Sequence, residues 1–393
     1  MKKIIFLLIH TFLFASMSDQ NLKRYQERYS LCHGKTNYQI TQCLLNGSIN
    51  YYRLRGDRKR YQRVNKKEFK EEESKGDIYR YVMRLMPHTR RYQGLKEYID
   101  YLYSIRDLYT PPRFKGNEEE DVIRIKRVLN LLQEARLRED IEMTSRFEEE
   151  IFEFQRRHGL KVDGIIGPET KRELKRSIHS LITKVKKNLE LERIASPKGS
   201  KYVLINIPEF KLYYYLDHRP VLDMKVIVGK PRMRTPVLIR KMQYIVKNPR
   251  WNVPPSIYAN EYAHKSGSYL KRNGFAFDRQ GRLYQKKGPN NALGLVKFLF
   301  PNGYNVYMHD TPAKSLFDKR VRAFSHGCIR LEKPMELLNR LGYAYDTYEN
   351  EWITLPEQIP VYVEYHTVWV DEEGIVQFRN DIYGYERKLF NTR

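Results

Sequence analysis

One short run, Ser325-His326-Gly327-Cys328-Ile329-Arg330-Leu331, brings together a thiol, an imidazole, a glycine and a guanidinium. A second imidazole, His309, lies nineteen residues before the thiol. A thiolate is a far stronger nucleophile than a thiol, and an unperturbed cysteine is mostly protonated at neutral pH. A neighbouring imidazole can take that proton. Acyl transfer also needs donors aimed at a tetrahedral oxyanion. A glycine just before the nucleophile allows the tight backbone turn that presents N–H groups. The run therefore predicts Cys328 as nucleophile, His309 as base and Arg330 as an anchor for an acidic substrate. The N–H groups of Gly327 and Cys328 are the expected oxyanion donors, with Ser325 and His326 in support.

The same residues admit other readings. A lone cysteine is usually buried and inert, but a buried apolar site would not collect these polar neighbours. His309, His326 and Cys328 could supply three zinc ligands, yet no Cys-x-x-Cys or His-Glu-x-x-His accompanies them, so neither a metal nor a cofactor is expected. A papain-like order has the cysteine first and the histidine later. Here both candidate bases precede the thiol, and the only later histidine, His366, sits in a strand-like run that reads as core or edge. Arg330 could be a plain surface charge, but its planar fork suits a carboxylate.

His309, fifteen intervening residues and then Ser325-His326-Gly327-Cys328-Ile329-Arg330 resemble the signature of the L,D-transpeptidases of bacterial cell-wall assembly. The stretches Asn248–Ser256, Asn290–Asn302, Tyr307–Pro312 and Trp369–Tyr383 resemble the large, multidomain branch of that family. The resemblance spans about residues 200–386. It implies that Cys328 is acylated, that His309 is the base and that His326 stands beside the oxyanion hole. It also implies a substrate, the tetrapeptide stem of peptidoglycan, and a thioester resolved by an amine to give a cross-link. Water in place of the amine would make the same site an L,D-carboxypeptidase that trims stems to tripeptides.

The rest of the chain must carry and position this site. Its 393 residues allow two or three domains, and 41% hydrophobic content is enough for real cores. The formal charge of +25 points to an anionic partner without choosing among nucleic acid, anionic lipid and acidic polymer. Residues 1–18 have two lysines, a twelve-residue mostly apolar run and then small residues, the layout of a secretory signal peptide cleaved after Ala15 or Ser18. That run is shorter than the roughly 20 residues a membrane span needs. An exported protein of the periplasm or cell wall is expected, with peptidoglycan as partner, no nucleic acid and no stable membrane span.

Residues 19–112 read as a helical scaffold rich in Tyr, Arg and Lys, with Tyr79, Val82, Met83 and Met86 at helical spacing. Cys32 and Cys43 there are either a disulfide clip on a helical hairpin or two buried thiols. The basic-aromatic run Tyr51–Tyr61 could mark a single-stranded nucleic-acid surface or a solvated helix face. Residues 113–190 follow a Pro111-Pro112 boundary. Within them Phe154–Thr170 resembles the three-helix peptidoglycan-binding module, although Arg124–Asp140 departs from the usual Gly-bearing first half. Lys184 to Gly199 reads as a charged linker. Residues 200–386 read as a mainly-β catalytic domain in which the polar, glycine-punctuated 255–290 breaks the strand rhythm as a short lid. Arg232, Met233 and Arg234 precede a turn near the substrate path, and Lys319, Arg320 and Arg322 form a basic loop tip. The overall expectation is an α+β multidomain chain: helical scaffold, three-helix module, mainly-β L,D-transpeptidase-like domain. A non-catalytic wall-binding protein and a basic nucleic-acid binder are the readings from other classes.

Overall fold

A computed structural model describes residues 18–46, 64–114 and 118–390. Residues 1–17 of the expected signal peptide and the basic-aromatic run Tyr51–Tyr61 lie outside the described residues. The chain divides into two compact units. One holds the described residues up to Ser196 together with those from His366 onward; the other is Pro197–Tyr365.

The first unit is helical. A helix over 18–29 (α1) is followed by Asn37–Asn46 (α2), Lys66–Ser74 (α3), Ile78–Leu85 (α4) and Arg90–Ser104 (α5). Glu118–Gln133 (α6), Ser145–Arg157 (α7) and Pro168–Leu174 (α8) form the three-helix module, and Ile178–Arg193 (α9) completes the set. The helix starts are written in the sequence. Thr89, Thr144 and Ser177 each accept a backbone N–H three residues on, which satisfies donors a helix end leaves open. Pro168 takes the first turn of α8, where its missing N–H costs nothing. Cys32 and Cys43 are joined by a disulfide, with Cα atoms 5.8 Å apart, which ties the turn after α1 to α2.

Within the module, the side chain of Gln155 organises the turn-rich segment ahead of α8. Its Oε1 accepts the N–H groups of Asp163 and Gly164, and its Nε2 donates to Asp163 Oδ1 and the Ile165 carbonyl. Gly164 has φ +71° there, a backbone region that suits glycine.

Two stretches differ from the sequence reading. Lys184 to Arg193 is not a solvated linker but part of a buried helix. Lys184 and Lys186 donate to the carbonyls of Arg379 and Glu27, Asn188 bonds Thr367, and Glu190 accepts from Ser30 and Leu31. Arg193 lies 2.9 Å from Glu190 and donates to the Tyr29 carbonyl. Charges matched in this way can be buried where unpaired ones cannot. Residues from His366 onward, grouped by sequence with the catalytic stretch, cluster with the helices. Their hairpin, Val368–Val370 with Val376–Phe378, places Val368, Val370, Val376 and Phe378 in the helical core beside Tyr92, Leu95 and Ile99. Gly94 of α5 permits that approach, since a Cβ there would meet Val370 at 2.9 Å. His366 is itself buried, its Nδ1 3.7 Å from Glu192.

The second unit is built on a mixed sheet. Its strands are β1 (Tyr202–Asn206), β2 (Lys211–Leu216), β3 (Arg219–Gly229), β4 (Leu238–Lys247), β5 (Trp251–Asn252), β6 (Phe275–Phe277), β7 (Leu283–Gln285), β8 (Val296–Leu299), β9 (Met308–His309), β10 (Ala323–Ser325), β11 (Ile329–Leu331) and β12 (Glu351–Glu364). The order is β10-β3-β11-β9-β8-β4-β12-β1-β2, and β2 also pairs with β3, so the pairing closes on itself. The strands are rich in β-branched and aromatic residues, as the sequence suggested. The helix Pro334–Arg340 follows the nucleophile run.

The segment 255–290 is more ordered than its polarity implied. It holds a helical turn over 255–262 and a helix at Gly267–Arg272. Its strands β6 and β7 pair with β5 in a separate three-stranded sheet, and Val253, Leu270, Phe275 and Leu283 form a small core of their own. Among the described residues, no helix is long and apolar enough to cross a membrane.

Candidate active site

The site is assembled by strand register. β9 lies between β8 and β11, with Lys297 paired to His309 on one side and Arg330 paired to His309 on the other. Directly paired residues project on the same face of a sheet, so the imidazole stands in a row between two cations. His309 is buried. Its Nδ1 lies 2.5 Å from the Asp310 carbonyl. A carbonyl can only accept, so Nδ1 carries the hydrogen in that bond, and the Leu293 carbonyl also interacts with the ring.

That carbonyl is itself held in place. Asp310 accepts the N–H groups of Thr311 and Leu295 and the Lys314 ammonium. Gly294, at φ +61°, leaves room for the carboxylate; a Cβ there would fall 2.3 Å from Asp310 Oδ2.

Cys328 sits in the turn that enters β11. The Ile329 N–H donates to the Tyr307 carbonyl at 3.0 Å, which sets the thiol beside Tyr307. Ser325 fastens the turn: its hydroxyl donates to the Cys328 carbonyl at 2.5 Å and accepts the Gly327 N–H at 3.1 Å. Buried Thr235 fastens it from the other side, donating to the Gly327 carbonyl and accepting the Gly229 N–H, both at 2.8 Å. Gly327 has φ +117°, where a side chain would be strained. The Gly327 N–H is thus already engaged, whereas that of Cys328 has no partner among the described residues. Of the two expected oxyanion donors, only Cys328 N–H remains available.

Electrostatics sharpen the roles. Burial pushes the His309 imidazole down to about 3; the Arg330 and Lys297 charges add to this, and the Asp310 carbonyl opposes it. His309 is therefore neutral at physiological pH and able to accept a proton. Burial pushes the Cys328 thiol up, although Tyr307, Arg330 and Lys297 all favour its anionic form. Burial thus opposes charge on both side chains. Burial lowers the Arg330 guanidinium from its usual range, and its buried Nε has no hydrogen-bond partner. A guanidinium in that state is primed for a carboxylate.

Cys328, His309, Arg330, Gly327, His326 and Ser325 all line one cavity of about 970 Å³. Met233, Arg234 and Pro236 form part of its wall, as expected of that turn, whereas Arg232 and the loop-tip Lys319, Arg320 and Arg322 do not line it. Four contributors escaped the sequence reading: Tyr307, Lys297, Thr235 and Glu261, whose Oε1 lies 2.5 Å from His326 Nε2. Tyr307 alone left a local signal, since strand period two places it on the face of His309. The other three are brought in by non-local pairing.

Residues 200–363 match the family model of the L,D-transpeptidase catalytic domain, and residues 118–174 match the model described as "Putative peptidoglycan binding domain". A curated relative from Haemophilus influenzae, named "Putative L,D-transpeptidase", is 32% identical over 222 residues, covering 48% of this chain. The chain spans under half of that relative, 45% of its length. Solved structures that resemble it include an L,D-transpeptidase from Stackebrandtia nassauensis (15% identity, 65% of this chain and 96% of that one, TM-score 0.27). Another is an L,D-transpeptidase from Mycobacterium smegmatis (16% identity, 42% and 58%, TM-score 0.26). Residues 200–363 are thus similar to an L,D-transpeptidase catalytic domain, and residues 118–174 before them to a peptidoglycan-binding domain.

Proposed function

We propose that this protein is a cysteine-dependent L,D-transpeptidase acting on the tetrapeptide stems of peptidoglycan. The observation that carries the reading is the convergence of Cys328, His309 and Arg330 on one cavity through the register of β9 and β11. His309 takes the thiol proton as Cys328 attacks the carbonyl of an L-centre. The Cys328 N–H supports the oxyanion. The terminal D-residue leaves with that proton, and a thioester remains. A side-chain amine of a second stem attacks the thioester, an amide forms and the thiol is restored. Arg330 orients the donor through a stem carboxylate. No cofactor takes part. The module at 118–174 would hold the enzyme on the wall, and the leading segment would direct it to the periplasm.

The test is muropeptide profiling of sacculi incubated with the full chain and with Cys328→Ala. New dimers linked between diamino acids, absent with the variant, are the expected result. Tripeptides without dimers would make the enzyme a carboxypeptidase. Identical profiles for the two proteins would overturn the assignment.

A further inference from the structure

The cavity is lined by Arg234, Arg282, Arg330, His309 and His326, and its only carboxylates among the described residues are Glu261 and Asp278. That balance suits an acidic donor stem. It is unfavourable for the second substrate of a transpeptidase, a primary amine that arrives protonated and must lose a proton before it can attack. Asp278 is occupied within its own turn, accepting the N–H groups of Gln280 and Arg282 and the Arg282 guanidinium. Glu261 is different. It projects from the helical turn over 255–262 that forms one wall of the cavity. Its Oε1 lies 2.5 Å from His326 Nε2, and its Oε2 has no hydrogen-bond partner among the described residues. Its side chain is 41% exposed and that of His326 25%, so an arriving ligand can reach both. His326 is two residues from the nucleophile.

We propose that Glu261 and His326 form the acceptor side of this site, with the carboxylate receiving a cationic amine and the pair taking its proton, while His309 serves the donor side. The inference rests on the transpeptidase reading. The ammonium is held by Glu261 and gives one proton to the Glu261–His326 pair. The free amine then attacks the thioester carbonyl, so that a C–N bond forms and the C–S bond breaks. The Cys328 sulfur leaves with the electron pair and takes the second nitrogen proton, leaving amide and thiol. Arg330 and Tyr262, the charged and titratable groups facing Glu261, are a cation and a phenol. Neither can replace the carboxylate as a partner for an ammonium.

The experiment uses the full chain with Glu261→Gln on sacculi. Released terminal D-residue reports acylation, and the ratio of dimers to tripeptides reports how the thioester is resolved. The expected result is a fall in that ratio on the order of a hundredfold, the scale of a lost general base, well beyond any fall in D-residue release. Hydroxylamine, which is uncharged at neutral pH, should resolve the thioester of the variant as fast as that of the wild type. An unchanged ratio, or an equal loss of hydroxylamine and amine resolution, would overturn the inference. A wild-type chain that releases no D-residue would instead sink the transpeptidase reading, and this inference with it.

Discussion

Arg330 lies directly opposite His309 in the parallel register of β9 and β11, with Lys297 opposite the same imidazole on β8. The imidazole is flanked by cations on both sides and buried, and both effects disfavour its protonated form.

The first expectation is slow thiol chemistry at neutral pH. Iodoacetamide alkylation of Cys328, followed by intact mass from pH 5 to 10, should rise only above the ordinary thiol range, because burial raises that thiol. A plateau already reached near pH 5 would instead report a thiolate–imidazolium pair.

Lys297→Met removes a charge that lowers the Cys328 thiol. The alkylation midpoint should move further upward, and acylation should slow with it. A midpoint that stays in place would show that Lys297 does not influence the sulfur. Its ammonium, 5.3 Å from the centre of the Trp352 ring and 5.7 Å from that of Tyr307, would then serve those rings alone.

Arg330→Lys keeps a charge but loses the planar fork that meets a carboxylate in two places. The expected result is a rise in KM for tetrapeptide donors of roughly tenfold or more, about the worth of one charge-assisted bond, with a smaller fall in kcat. Unaltered KM would remove Arg330 from substrate binding.

Thr235→Val keeps the shape and strips the hydroxyl that joins Gly229 to Gly327. Two buried backbone groups lose their partner, at roughly 1–3 kcal/mol each. A lower urea midpoint and slower acylation should appear together, and Thr235→Ser should recover both. A neutral Val variant would exclude Thr235 as a brace of the nucleophile turn.

His158 is buried against Phe154 and Phe378 and pushed down to about 3 by loss of solvent. An unfolded histidine binds a proton near pH 6.5, so between that pH and about 3 the unfolded state holds more protons than the folded one. Stability should therefore fall as the solution is acidified, by up to about 1.4 kcal/mol per pH unit from this group. His309 adds a term of the same sign. Denaturant midpoints from pH 7 to 4 for the wild type and His158→Phe would check this, the variant showing the shallower slope.

What could be read from the sequence follows from locality. Cys328, Gly327 and Arg330 are neighbours, and His309 belongs to the same spaced signature, so their conjunction was visible before any fold. Lys297, Thr235 and Glu261 carry no such mark, because each reaches the site from a distant element. The charged face of α9 misled for a related reason: Lys184, Lys186, Glu190 and Arg193 look solvated in one dimension, and only their partners at Arg379, Glu27, Ser30 and Tyr29 reveal them as interior. The segment 255–290 hid its order because its core is four side chains from separated positions.

The hairpin formed after His366 gives the helical unit strands that are synthesised only after the whole of Pro197–Tyr365. The early helices therefore stay incomplete until residues 368–378 have been made, whereas Pro197–Tyr365 has all its strands in hand beforehand. Loss of the 368–378 hairpin should therefore cost the helical unit its integrity before that of Pro197–Tyr365. Cleavage between Tyr365 and Val368 would thus loosen the helices first.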